Sequence, residues 1–266
     1  MLHAIYDLSY CPESFDFFVF LCAAKSIHPD VKVVFVEGRK QKRKFNDPTT
    51  KQRIESILVA GCELTSTPYE FRKDRNFKYD FQFPFNWPKS SGEDTYGFRQ
   101  LKKLDIHRFW FPKDPIPGRI TITQRNYGRN MYRNSNMNDW KMVREHLSHN
   151  HEVIVIKDYQ EQPISLFDRI KLYSSAEMNL FVNNGPAILC MLSELPYMTF
   201  KMESKGSASR EHLAQIGLPV GSQVPWRVAN QQIVWAEDNF KNIIEHFEKW
   251  ENGRSSLVLL DRMGIS

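Results

Sequence analysis

The chain of 266 residues lacks most of the short signatures that announce a chemistry. No GxxxxGK followed by Ser or Thr is present, which excludes a P-loop. No GxGxxG follows the first expected strand, so the dinucleotide fingerprint is missing. GxSxG is absent, which argues against the nucleophile elbow of an α/β-hydrolase. No DxD occurs anywhere, and with it goes the carboxylate pair that would chelate a metal on a nucleotide diphosphate. Cysteine is scarce: Cys11, Cys22, Cys62 and Cys190 form no CxxC pair and sit in apolar surroundings, the pattern of reduced, buried thiols in a cytosolic protein. The longest apolar run, Phe17 to Ala24, is far too short to span a bilayer. The N-terminus has no basic region ahead of an apolar core, so no signal peptide is expected.

What is present is the composition of a soluble globular protein, 41% hydrophobic and 25% charged, with length for one large or two modest domains. The formal net charge of +5 suits an anionic ligand, an anionic membrane surface or nucleic acid, and does not separate them.

Apolar periodicity alternates between strand and helix. His3 to Ser9 reads as a strand, and Ser14 as the N-cap of a helix running to Ile27. Val31 to Glu37 is a near-continuous apolar strand of the kind buried in parallel sheets. A helix follows from Thr49 to Ala60, with Gly61 at its C-cap, and Cys62 to Pro68 reads as a third strand. Residues 69–117 mix charge, aromatics and proline without period, as a long excursion ending in a proline-rich linker. A second α/β pattern starts at Arg119: strands at 120–123 and 152–158, helices at 138–147 and 165–176. Glu177 to Met202 then reads strand, Asn183-Asn184-Gly185-Pro186 turn, helix Ala187–Glu194 and strand 197–200. A late strand at 231–238 and an amphipathic helix at 239–251 close the chain.

Candidate chemistry gathers at the expected carboxyl ends of the strands, where ligands bind in open α/β sheets. The loop after strand 120–123 carries Arg125, Arg129 and Arg133 among tyrosines and asparagines, and arginine's planar fork suits phosphate. The 183–186 turn opens a helix: Gly185 tolerates unusual backbone angles and Pro186 is preset for the first helical position, leaving N–H groups for an anion. Asp158 and Glu161, after the next strand, are placed to hold a base or ribose hydroxyl, or to be solvated loop carboxylates. Glu194 has two equal readings, a contact to a sugar hydroxyl or a surface charge. Glu13 and Asp16 flank the first strand–helix turn, as general base or as favourable charge in a helix's first turn. His146, His149 and His151 sit at a helix C-terminus, a structural placement rather than a metal site. The basic run Arg39 to Lys44 is a solvated loop first, a contact for anionic lipid headgroups second and for RNA third.

Two α/β halves, a proline-rich hinge and a final helix resemble the GT-B architecture of nucleotide-sugar glycosyltransferases. NNGPAILCMLSELPYMTF resembles the donor-binding segment of that fold, and TQRNYGRNMYR is similar to the arginine-bearing loop of fucosyltransferase-like and related bacterial families. The resemblance implies two Rossmann-like doubly wound domains facing across a cleft: residues 1–115 on the acceptor side and 116–266 on the donor side, with the terminal helix packing back toward the first. It implies transfer of a sugar from a nucleotide-sugar donor to a hydroxyl on a glycan or lipid-linked acceptor. Asn184, Gly185, Pro186 and Ala187 would bind the donor, and Arg125 and Arg129 would neutralise the leaving diphosphate. The missing DxD agrees with a metal-independent mechanism of this fold, with no cofactor beyond the nucleotide sugar. The expected location is the cytoplasm, peripheral at the inner membrane face, with no nucleic-acid partner. Two alternatives stay open: a nucleotide-sugar epimerase on the same fold, or a non-catalytic α/β protein whose basic loop serves an anionic partner.

Overall fold

The computed structural model describes residues 1–39, 44–74, 76–82, 98–128, 130–158 and 164–262. The fold is mixed α/β, with two sheets that are parallel throughout.

In the first sheet the order is β3-β2-β1-β4. Strand β1 (Leu2–Asp7) leads into helix α1 (Asp16–Ile27), and β2 (Val31–Val36) pairs with β1 from Leu2↔Val31 to Asp7↔Val36. The expected Ser14 cap is displaced by one residue. Phe15 is the N-cap, without a side-chain cap bond, while the Ser14 hydroxyl donates to Asp16 Oδ2 at 2.7 Å.

The next helical run is longer than its spacing predicts. It passes through α2 (Pro48–Arg53), a π-helical segment (Ile54–Val59) and α3 (Ala60–Leu64). Asp47 caps it by accepting from Thr50 N, with Pro48 in the first turn. Gly61 is not a C-cap. It lies inside the run, packed against Phe17 and Phe18, so the helix continues into the segment expected to be a strand. Strand β3 begins only at Tyr69 and ends at Arg72. Short β4 (Phe81–Gln82) and α4 (Phe98–Leu101) complete this half.

The second sheet follows its periodicity closely except in its last strand, which ends at Ile233 where Asp238 is expected. The strands are β5 (Arg119–Gln124), β6 (Glu152–Lys157), β7 (Met178–Val182), β8 (Tyr197–Phe200) and β9 (Gln231–Ile233), in the order β6-β5-β7-β8-β9. Helices α5 (Met137–Leu147), α6 (Leu166–Ser174), α7 (Ala187–Met191), α8 (Arg210–Gln215) and α9 (Phe240–Arg262) connect or close it.

The terminal helix departs from its expected place. Over its described side chains α9 lies along α5 on the second sheet, not toward the first half. Ile243, Ile244 and Phe247 join Trp140, Val143 and Leu147 in one apolar cluster, the partner that its stripe found nearest. His151 Nε2 reaches Glu251 at 3.1 Å, and Arg254 pairs with Glu177. His146 and His151 thus serve packing and ion pairs at the C-terminal end of α5, where His149 is exposed.

A larger core is continuous from α1 to the second sheet: Phe17, Phe18 and Val19 belong to the same cluster as Phe181, Leu189 and Cys190. All four cysteines are free and buried. Among the described residues no helix is long and apolar enough to cross a membrane.

One close approach fixes how α8 meets α4. Gly217, at φ +87°, follows α8, and a Cβ there would lie 2.5 Å from the backbone nitrogen of Arg99. That nitrogen donates to Ile216 O at 2.8 Å, so the backbone has no room to yield. Gly217→Ala is therefore expected to cost about 1–3 kcal/mol, read as a lowered denaturation midpoint with an unchanged denaturant slope.

Candidate functional site

In each sheet the chain builds outward on one side of a first strand and then switches to the other. The switch falls between β1 and β4 in the first sheet and between β5 and β7 in the second. Ligands of open parallel sheets bind outside the carboxyl ends of the strands at such points. Here the residues that follow β1, β5, β7 and β8 all reach one cavity of about 380 Å³. Phe15, Asp16 and Val19 line it from the start of α1, Arg133 from the loop after β5, Asn183 to Gly185 from the turn after β7, and Met202 from the end of β8. Apolar side chains of α4, α7 and α8 make up most of the remaining wall.

Its polar end is tightly built. Arg133 Nη2 donates to Asn183 O and to Asn183 Oδ1, both at 2.9 Å, and its Nε reaches the same carbonyl at 3.2 Å. Asn183 Nδ2 in turn donates to Met202 O at 2.7 Å, which ties the turn to the end of β8. Asn184 Oδ1 accepts from Ala187 N at 3.3 Å, which fixes the amide. Its other end, Nδ2, is buried and has no hydrogen-bond partner among the described residues, in a side chain only 7% exposed. An orphaned buried donor is costly in a native fold, and this one belongs to a residue of the cavity wall.

Gly185 serves this turn for a different reason than backbone freedom. Its φ is not in the left-handed region; instead a Cβ would meet Phe15 Cδ2 at 2.9 Å and Phe15 Cβ at 3.2 Å. The glycine lets the start of α1 press against the turn after β7. Gly185→Ala should displace Phe15, narrow the cavity and cost about 1 kcal/mol, with a crystal structure of the variant as the check.

The other anticipated residues fall into two groups. Pro186 is buried at the N-cap of α7 and Ala187 lines the cavity, so the whole turn is brought together with Arg133. Arg125 does not line the cavity. Its Nη1 donates to Asn130 O at 3.1 Å and also to Asn134 Oδ1, and its guanidinium stacks 5.2 Å from the Tyr127 ring centre. Burial lowers its pKa from the ordinary arginine value, and the contacts make it an internal brace of the loop. Asp158 is buried too, its Oδ1 accepting from Arg169 Nη2 at 2.6 Å, and burial lifts its pKa above the ordinary carboxylate value. The backbone carbonyl of Asp158 accepts from the Tyr127 hydroxyl.

Glu194 lies elsewhere. It is bound by Lys113 at 2.8 Å and Arg108 at 3.5 Å beside a separate hollow lined by Trp110. Of the two carboxylates after β1, Asp16 lines the cavity. Glu13 does not, although its Oε1 is buried without a hydrogen-bond partner among the described residues. Arg129, Glu161 and most of the Arg39–Lys44 run lie outside the described residues. Among those described, no group of three or more His, Cys, Asp or Glu is placed to hold a metal ion.

Two residues near the site went unanticipated. Lys201, at φ +49°, donates to Asn134 O at 2.9 Å and pairs with buried Asp238 at 3.2 Å, so it clamps the loop after β5. His212 on α8 lines the cavity.

No family model matches the chain, and no curated protein matches it. The search of solved structures returns two that are similar in fold. One is the bacterial iron-containing dodecameric glycosyltransferase TibC from enterotoxigenic E. coli H10407, at 14% identity and a TM-score of 0.44. The other is the dodecameric iron-containing heptosyltransferase TibC in complex with ADP-D-beta-D-heptose, at 13% identity and a TM-score of 0.48. Each match covers 90% of this chain, which spans 65% of the length of either structure.

Proposed function

We propose that this chain is a glycosyltransferase that moves a sugar from a nucleotide-sugar donor to a hydroxyl acceptor. The observation that carries the reading is the convergence of both sheets' switch-point loops on one cavity with a fixed cationic, donor-rich end. A single-sheet binding protein needs one such point. Two facing one space suit a reaction between two substrates, with donor on the second-sheet side and acceptor against the start of α1.

In this reading the arrangement is GT-B-like, with the halves dividing at residues 115/116. Arg133 and the Asn184 amide face the diphosphate, where fixed donors stabilise charge as the leaving group departs. The turn 183–187 holds the donor. Arg125, Asp158 and Lys201 keep the loop after β5 in shape. The reaction is metal-independent in this proposal, because the charge on the leaving group is met by side chains.

The test is release of nucleoside diphosphate from a panel of UDP-, GDP-, CDP- and ADP-hexoses, in chelator and in magnesium. One donor class should be broken down at similar rates in both. No breakdown of any donor would remove the proposal. Epimerised donor in the absence of an acceptor would instead favour an epimerase.

A further inference from the structure

His212 is the group in this cavity suited to carry a proton. Helix α8 is capped by Ser209, whose hydroxyl oxygen accepts from His212 N at 3.3 Å. The cap sets the helix so that His212, Leu213 and Ile216 all border the cavity. Leu213 and Ile216 are apolar wall. His212 is half-buried, and among the described residues its ring makes no hydrogen bond, ion pair or ring contact.

Among the described residues lining the cavity, Asp16, Arg133 and His212 are ionisable. Arg133 is bound to Asn183 and does not release a proton in the ordinary pH range. One oxygen of Asp16 already accepts the Ser14 hydroxyl. Imidazole alone among side chains both takes and gives a proton close to neutrality without special surroundings.

We infer that His212 is the general base of the transfer, an inference that rests on the glycosyltransferase reading. The acceptor O–H proton passes to a ring nitrogen of His212 as the acceptor oxygen's lone pair forms the bond to the anomeric carbon. The bond from that carbon to the diphosphate oxygen breaks, and its electron pair stays on the diphosphate facing Arg133. Water in place of the acceptor follows the same course.

The experiment compares wild type, His212→Ala and His212→Gln for nucleoside diphosphate release from UDP-glucose, GDP-mannose and ADP-glucose. A thermal-shift titration with the matching nucleoside diphosphate runs beside it. Removing a positioned base should lower release by about 10²–10⁴-fold. Nucleotide binding should be unchanged, since the ring touches none of the diphosphate's donors. Added imidazole should restore activity to His212→Ala and leave the wild type unaffected, a rescue that a packing role would not produce. Wild-type rates in His212→Ala, or a loss that imidazole does not restore, would overturn the assignment and leave the reading intact. A wild type that breaks down none of the three, nor any other donor of the wider panel, removes the reading and the base with it.

Discussion

Arg133→Ala should lower turnover of the nucleotide-sugar donor by about 10²–10³, the loss found when one fixed donor to a developing negative charge is removed. The side chain holds the turn after β7 through Asn183 O and Oδ1 and lies on the cavity wall, and in the proposed reaction it positions and neutralises together. Arg133→Lys keeps the charge but not the fork, and should recover only a minor part of the rate. Arg125→Ala gives the contrasting result. Its guanidinium is spent on Asn130, Asn134 and Tyr127, so the variant should lose stability and show disorder in residues 125–135 before it loses chemistry. Equal kinetic losses in the two variants, at equal melting temperature, would contradict this division of roles.

Breaking the buried pair under the second sheet's carboxyl edge should give the largest stability loss. Arg169 and Asp158 are 3% and 7% exposed and meet at 2.6 Å, and Arg169 also donates to the buried Tyr173 hydroxyl at 3.0 Å. Tyr173 hydroxyl and Thr123 hydroxyl are 2.9 Å apart, so the network reaches β5. Arg169→Met leaves a buried carboxylate without its partner, which costs about 3–5 kcal/mol. For a chain of this size that is a fall of roughly 6–20 °C in melting temperature. Adding Asp158→Asn removes the orphaned charge and should return part of the loss. A double variant that merely sums two single losses would show that the pair is not coupled.

How much of this was legible depended on how local the cause was. β7 and β8 stand where their apolar runs begin and end, at 178–182 and 197–200, because both strands are buried and bounded by turn residues. The turn at 183–186 was legible for the same reason. The role of Gly185 was not, because the atom that demands it belongs to Phe15, far away in sequence. Nor does the loop TQRNYGRNMYR say which arginine reaches the cavity. Asn130 takes a left-handed conformation at φ 55°, and its carbonyl accepts from Arg125 while Arg133 reaches the turn. Asp158 reads as a free loop carboxylate until α6 brings Arg169 beside it. α8 is six residues with little apolar period, so His212 had no local signal beyond a serine three positions earlier. The expected strand at 62–68 failed because Gly61, packed against α1, lies inside a helix that runs on to Leu64.

The most direct test of the central claim is a thermal-shift panel of UDP, GDP, CDP and ADP, without magnesium, on the wild type and Arg133→Ala. A ligand at one hundred times its dissociation constant stabilises the fold by about 2.7 kcal/mol. In a chain of this size that is roughly 5–10 °C. One nucleoside diphosphate should produce that shift in the wild type, and Arg133→Ala should lose most of it. Equal shifts in both proteins, or no shift with any nucleotide, would contradict a donor site at this cavity.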